Sequence, residues 1–251
     1  MAALQHKNIC KVFGTLETKK YVVLLLEFCK GGALPLHLHP LHFSILLLLY
    51  TTVSLMTSLS AGDLFDKLNN FGPMSEDEAR RSFLQLVDVV NFMHERGYIH
   101  RDIKPENILV DEAGNLILTD FGFARQYDYK QHLDEWGGTL QYTSPEIVSQ
   151  TPYVGPEVDV WACGTVLLAM LTARVPFSAQ KESHVVRKIK CGDFSAAIVS
   201  SGVSLSPEVM QLLRHMLEPN VNKRATMEDV LNPPWVRGDG MFSSTTVSSP
   251  Y

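Results

Sequence analysis

The chain has 251 residues, 45% hydrophobic and 20% charged, with a formal net charge of −5. That length and balance suit one large folded domain or two small ones with a sizeable core. They exclude wholesale disorder, a collagen-like rod and a disulfide-stapled mini-protein, and they offer no basic face to a nucleic acid. Cys10, Cys29, Cys163 and Cys191 lie far apart with no C-x-x-C pair, which favours free thiols in a reducing compartment over a zinc ribbon. No basic segment followed by an apolar run marks a signal peptide at the N-terminus.

In chain order, residues 9–13 and 21–28 read as short buried strands joined by a polar turn at 14–20. Residues 31–62 carry no Asp, Glu, Lys or Arg. Within them, 41–59 is apolar enough and long enough for a membrane span of roughly 20 residues. Nearby His37, His39 and His42 have no fourth ligand to complete a metal site. Ser75 and Glu78 form a capping box that opens a helix. Its apolar face carries Ala79, Phe83, Leu86, Val87, Val90 and Met93, and Gly97 ends it. Residues 98–106 read as irregular. Residues 108–110 and 116–118 form a hairpin with Gly114 and Asn115 at the turn. Residues 158–171 are almost wholly apolar yet too short to span a bilayer, so they read as a core helix. Residues 207–217 and 226–231 read as short amphipathic helices. The Gly-, Ser- and Thr-rich tail, 237–251, reads as disordered. No internal repeat is present.

The chemistry concentrates between residues 100 and 122. His100-Arg101-Asp102 is followed by Lys104, Pro105, Glu106 and Asn107, and one hairpin later by Asp120-Phe121-Gly122. The hairpin brings the two carboxylates, Asp102 and Asp120, to one edge. This joint pattern resembles the H-R-D-x-x-x-x-N catalytic loop and D-F-G metal site of protein kinases. The resemblance implies a two-lobed α+β fold, with an incomplete β-rich small lobe and a mainly α-helical large lobe. It implies transfer of the terminal phosphate of ATP to Ser or Thr hydroxyls of protein substrates, with Mg2+. Asp102 would take or orient the proton of the attacking hydroxyl. Lys104 would hold the transferring phosphate. Asn107 and Asp120 would give oxygens to magnesium, a hard cation. Lys104-Pro105-Glu106-Asn107 resembles the serine/threonine branch.

Downstream, 138–146 resembles the family's G-T-x-x-Y-x-[AS]-P-E, which implies that the Thr139 hydroxyl contacts Asp102 and Lys104. Glu146 would pair with Arg224, and Asp159 would anchor the catalytic-loop backbone. Upstream, 21–30 resembles the last small-lobe strand and hinge. Leu26 would stand behind adenine, the backbone of Glu27 and Cys29 would bond its edge, and Leu109 would floor it. Gly31-Gly32, resumed at Asp63-Leu64-Phe65, resembles calcium/calmodulin-dependent kinase-like enzymes. Asp63 would then bind ribose and basic substrate side chains, and Glu106 an upstream arginine. No basic amphipathic helix follows Trp235, so calmodulin control is not expected.

Three departures stand beside the resemblance. Before the hinge there is no G-x-G-x-x-G, no strand lysine and no helix glutamate to pair with it. Residues 1–30 therefore read as a small-lobe remnant, and the alternative to an active kinase is a fragment that only binds partners. Residues 31–62 interrupt the pattern between matching flanks. They read as sequence foreign to the mature product, such as a retained intron, with a surface insertion or a membrane span as alternatives. Residues 63–236 read as the large lobe. Finally, no Ser or Thr lies between Gly122 and Thr139, so Asp134 and Glu135 would give Arg101 permanent negative charge, leaving Tyr127 and Tyr129 as modifiable hydroxyls. The expected location is cytoplasmic or nuclear, with membrane attachment through 41–59 as the alternative.

Overall fold

The computed structural model describes residues 4–17, 22–26 and 62–238. At its centre stands helix α4 (Pro156–Thr172), buried along nearly its whole length. The apolar run at 158–171 leaves no polar face for water, so only the middle of a helical layer can accommodate it. Pro156 opens the helix, and Ala173 closes it in the left-handed region at φ 48°.

Other helices surround α4. α1 (Leu64–Phe71) is capped by Asp63, and α2 (Glu76–Glu95) by the reciprocal Ser75–Glu78 box. The apolar face of α2 packs on α4 through Phe83, Leu86, Val87, Val90 and Met93. α3 (Pro145–Val148), α5 (Glu182–Cys191), α6 (Ser195–Ser201), α7 (Pro207–Met216), α8 (Met227–Leu231) and α9 (Pro234–Arg237) complete the helical layer. Gly164 lets α7 approach α4 closely, because a Cβ there would lie 2.9 Å from Cβ of Met216. Glu76 ties three elements together: it accepts from Ser206 N and Oγ, each at 2.7 Å, and from Trp235 Nε1 at 2.9 Å.

Among the described residues the strands form three antiparallel pairs. β1 (Val12–Glu17) pairs with β2 (Val22–Leu26), β4 (Ile108–Val110) with β5 (Leu116–Leu118), and two-residue β3 (Tyr98–Ile99) with β6 (Arg125–Gln126). Gly114, at φ 82°, turns the β4–β5 hairpin.

The first strand departs from its expected bounds. The strand starts at Val12 and runs to Glu17, with an irregularity between Val12 and Gly14. The apolar Ile9 and Cys10 instead dock on β5: Leu118 N donates to Asn8 O, and Cys10 N donates to Leu118 O. Asn8 Nδ2 fastens the segment to Leu116 O at 2.6 Å and Gln85 Oε1 at 3.0 Å. Arg237, placed in the tail by sequence, belongs to α9; residues 239–251 lie outside the described residues. Among the described residues no helix is long and apolar enough to cross a membrane, and 41–59 lies outside them. Cys10 is buried, Cys163 is a buried free thiol, and Cys191 is an exposed one.

Candidate active site

The loop from His100 to Asn107 is irregular, yet it is held from below by one buried carboxylate. Asp159, in the first turn of α4, is fully buried. It accepts from the backbone N–H of His100 and of Arg101, each at 2.8 Å, and from His94 Nε2 at 2.9 Å. Burial alone would raise the Asp159 carboxyl, but the bonds from His94 and the His100 backbone outweigh it and hold the group below its ordinary value. Those anchors maintain Arg101 at φ 69°, a conformation costing about 1–3 kcal/mol for a non-glycine residue.

His100 is fully buried, and burial pushes its imidazole down toward the neutral form. Nε2–H donates to Thr119 O at 3.0 Å, while Nδ1 accepts from Asp102 N at 3.3 Å, which assigns the tautomer. The Phe121 ring lies 4.9 Å from the His100 ring, joining the two motifs by packing.

Asp102 sits at the centre of four donors. Oδ2 accepts from Lys104 Nζ at 2.8 Å and Asn107 Nδ2 at 3.0 Å. Oδ1 accepts from Thr139 N and Oγ1, each at 3.2 Å. Lys104 Nζ also donates to Thr139 Oγ1 at 2.8 Å. A carboxylate has about four lone-pair positions, and all four are taken. An incoming hydroxyl must therefore displace a donor, and the rotatable Thr139 hydroxyl, one of the two longest bonds, yields most easily.

Gly138 makes this closure feasible. Its φ is 105°, and a Cβ there would meet Arg101 O at 3.0 Å. Gly138→Ala should therefore lift Thr139 off Asp102. The expected result is a measurable loss of thermal stability together with loss of any Asp102-dependent chemistry, checked by melting and by activity.

Asn107 and Asp120 come together through the hairpin. Thr119 N and Oγ1 both donate to Asn107 O, at 2.9 and 3.0 Å, so Asp120 emerges one residue past that pairing. Both amide protons of Asn107 go to Asp102, at its backbone O and at Oδ2. Its Oδ1 accepts no hydrogen bond among the described residues. Asp120 is exposed and in the left-handed region at φ 54°, with Oδ1 accepting from Gly122 N at 3.2 Å. One neutral and one charged hard oxygen donor suit a magnesium ion.

On the other flank, Asp63 bridges to Leu109 in the backbone, and Leu109 is buried in β4. Asp63 Oδ1 is spent capping α1, accepting from Asp66 N at 2.7 Å. Glu106 stands nearby with a buried Oε2 that has no partner among the described residues. Burial raises both carboxyls above their ordinary values; the Asp66 charge adds to the rise at Asp63, while at Glu106 the Lys104 ammonium opposes it and Asp63 and Asp102 add to it. Neither is an ordinary solvated surface charge. A cleft of about 460 Å³ opens beside them, lined by Phe65, Leu68, Pro105, Tyr142, Val175 and Ala197 among others. The backbone of Leu26 lies in β2, whereas Glu27 and Cys29 lie outside the described residues.

The segment between Gly122 and Thr139 folds back on the catalytic loop. Glu135 Oε2 accepts from Arg101 Nη2 at 3.2 Å and from Arg125 Nε at 2.9 Å, and Oε1 accepts from Arg125 Nη2. Asp134 is exposed. The sequence pattern does not mark Arg125 as a partner of Glu135: the two lie ten residues apart, and no helix or strand period joins such a pair. Glu146 and Arg224 form a buried bidentate pair at 2.6 and 2.8 Å, with the guanidinium 5.0 Å from the Trp161 ring.

Sperm motility kinase 2B of Mus musculus is 34% identical over 238 residues, 94% of this chain and 42% of its own length. CBL-interacting serine/threonine-protein kinase 3 of Arabidopsis thaliana is 32% identical over 242 residues, 95% of this chain and 47% of its own. NUAK family SNF1-like kinase 1 of Homo sapiens is 31% identical over 236 residues, 94% and 30%. The chain thus spans less than half the length of these relatives. Residues 49–236 match the protein kinase domain, and the chain belongs to that family.

Proposed function

We propose that this chain carries the phosphotransfer centre of a serine/threonine protein kinase. The observation that carries the reading is the convergence of Lys104, Asn107 and Thr139 on the buried Asp102 carboxylate. In the proposed reaction the substrate hydroxyl displaces Thr139 Oγ1 and is aligned by Asp102. Its oxygen forms a bond to the terminal phosphorus of ATP as the bond to ADP breaks, and its proton passes to Asp102. Lys104, 2.8 Å from Asp102, offsets negative charge on the phosphoryl oxygens. Asn107 Oδ1 and Asp120 would hold magnesium, which supplies charge neutralisation at the phosphates when bound. The floor of the adenine site is Leu109; Leu26, Glu27 and Cys29 complete it in this reading. Residues 63–236 form the large lobe, 1–30 contribute the end of the small lobe, and 31–62 interrupt the two. Sequencing the transcript across 32–63 tests that division.

The substrate is a protein segment with an arginine upstream of the acceptor. The buried, unpartnered Glu106 Oε2, reinforced by Asp63, supports this, because a buried acceptor without a donor is costly unless a ligand supplies one. The apolar cleft beside it suits a hydrophobic side chain of the same segment. The test is the full chain with radiolabelled ATP, magnesium and matched Ser, Thr and Tyr peptides with and without arginines. Transfer to the Ser and Thr peptides is expected. Arginine-dependent peptide binding with no transfer would assign the surface to binding alone.

Glu106→Gln should raise KM for arginine peptides about 10-fold or more, from loss of a charge-assisted hydrogen bond of roughly 1.5–3 kcal/mol. It should not lower the melting temperature. An acid whose folded pKa is raised disfavours folding when ionised, so its neutral isostere is neutral or stabilising at pH 7. For the same reason, affinity for arginine peptides should weaken on acidification at a pH above the ordinary carboxylate range. Peptides without arginine should not show that loss.

A further inference from the structure

We propose that Arg174 is a specificity-determining residue that binds an acidic side chain of the substrate segment seated in the apolar cleft beside Glu106. The substrate class is then a protein segment that carries an arginine, a large apolar residue and an Asp or Glu. This rests on the serine/threonine kinase reading and narrows its substrate. Three observations carry it.

The first is the lining of the cleft. Its volume of about 460 Å³ lies in the range of roughly 300–1,000 Å³ typical of clefts that hold whole ligands, so one apolar side chain does not fill it. Among the residues that line it, Arg174 alone carries a charge. Glu106 directly follows the lining residue Pro105. The cleft therefore adjoins a carboxylate at one wall and holds a guanidinium at another. The second is how Arg174 is held. Arg174 N donates to Thr172 Oγ1 at 3.3 Å, Thr172 Oγ1 donates to Leu168 O at 2.6 Å, and Ala173 closes α4 at φ 48°. The backbone is fixed, but the side chain is uncommitted. Arg174 is exposed, and among the described residues its guanidinium makes no ion pair and one long hydrogen bond, Nη2 to Ser200 O at 3.5 Å. The third is chemistry. A guanidinium presents five N–H donors in a planar fork that meets a carboxylate through two parallel bonds. Asn69 and Ser178 line the same cleft and offer neutral donors beside it.

Opposite charges on one cleft select a substrate in two ways. An arginine of the segment meets Glu106, while a second basic residue placed at Arg174 is repelled. Discrimination then comes from repulsion as well as attraction. Because Arg174 is exposed, the pair it forms is partly solvated, so the gain is modest and salt screens it. Residues 173–176 belong to none of the motifs read in the sequence. Only the fold, which sets the end of α4 and Pro105 on one cleft, brings Arg174 into the substrate's path.

The test uses the full chain and fluorescent Ser peptides that keep the arginine and the apolar residue and scan Asp, Asn or Lys through the other positions. Fluorescence anisotropy reads binding whether or not phosphate is transferred. At one position Asp should bind roughly two- to fivefold tighter than Asn, and Lys more weakly than Asn. Arg174→Gln should abolish that difference, and Arg174→Glu should invert it, so that the Lys peptide binds best. In steady-state kinetics the effect should fall on KM for the peptide rather than on kcat, and it should shrink in about 0.5 M salt. Arg214→Gln removes an exposed arginine of α7 outside the cleft; it should keep the Asp preference, which separates a local contact from net charge. Equal binding of the Asp and Asn peptides to wild type, or an Asp preference that survives in Arg174→Gln, overturns the proposal. If no peptide binds, with arginine or without, the cleft reading falls as a whole. An Asp preference without dependence on arginine defeats the Glu106 assignment alone. Peptides bound with the Asp preference yet never phosphorylated defeat the phosphotransfer reading and leave the Arg174 subsite standing.

Discussion

Asp102→Asn should lower the rate of phosphotransfer by about 10²–10⁴-fold, the range a positioned acid–base group contributes. Steady-state kinetics with the Ser or Thr peptide reads it directly. The expected signature is a fall in kcat with the KM for ATP little changed, because in the proposed reaction Asp102 aligns the acceptor hydroxyl rather than ATP. The geometry explains why a near-isosteric change is so damaging. Asp102 receives four donors: Lys104 Nζ, Asn107 Nδ2, Thr139 N and Thr139 Oγ1. An asparagine brings one acceptor oxygen and one NH2. Whichever way its amide is turned, the NH2 faces two of those donors. The hydroxyl-bearing Thr139 can rotate to accept; Lys104 Nζ and the backbone N–H cannot. The base is lost, and its scaffold is also turned against it. A retained rate would show that Asp102 is a structural hub and that the hydroxyl's proton leaves by another route.

The parts of this site that could be read from sequence are those whose partners lie within a few residues or belong to a fixed motif. His100 to Asn107 and Asp120 to Gly122 are short contiguous signatures, and the hairpin between them is announced by alternating strand residues and Gly114-Asn115. The core helix was legible because 158–171 has no polar face. The structure adds contacts between residues far apart in sequence, for which no period exists. Glu76 reaches Ser206 and Trp235, and Asn8 reaches Leu116. β3 and β6 are two residues each, far below the length at which alternation becomes visible. α5 was missed because Val185 and Ile189 alone are buried in a helix otherwise rich in Lys, Arg and His, so its apolar stripe is too thin to stand out. The strand at 9–13 was misplaced for a related reason. Ile9 and Cys10 are apolar because they dock on Leu118, and burial by docking looks the same in sequence as burial in a strand.

Arg224→Met should cost the domain about 3–5 kcal/mol, the penalty for leaving one charge of a buried pair uncompensated. In a protein of this size that corresponds to a fall in melting temperature of roughly 6–20 °C. Arg224 is fully buried at its side chain, with Glu146 8% exposed. Its guanidinium does more than pair with Glu146. Nε donates to Glu218 O at 2.9 Å and Nη1 to Glu157 O at 2.9 Å, and the group lies over Trp161. Removing it orphans a carboxylate and the carbonyls of Glu218, Glu157 and Pro219 at once, and it unties α3 from the start of α4. The double variant Glu146→Leu with Arg224→Met separates the causes. If the buried charge dominates, the double variant recovers most of the lost stability, since replacing both partners of a buried pair is often neutral. If the orphaned carbonyls and the lost hold on α4 dominate, the double variant stays as unstable as the single. The Asp159 anchor lies two residues beyond Glu157 on the same first turn of α4. In that second case, protection of His100 and Arg101 against hydrogen exchange should fall along with stability, linking this distant pair to the catalytic loop through one turn of helix.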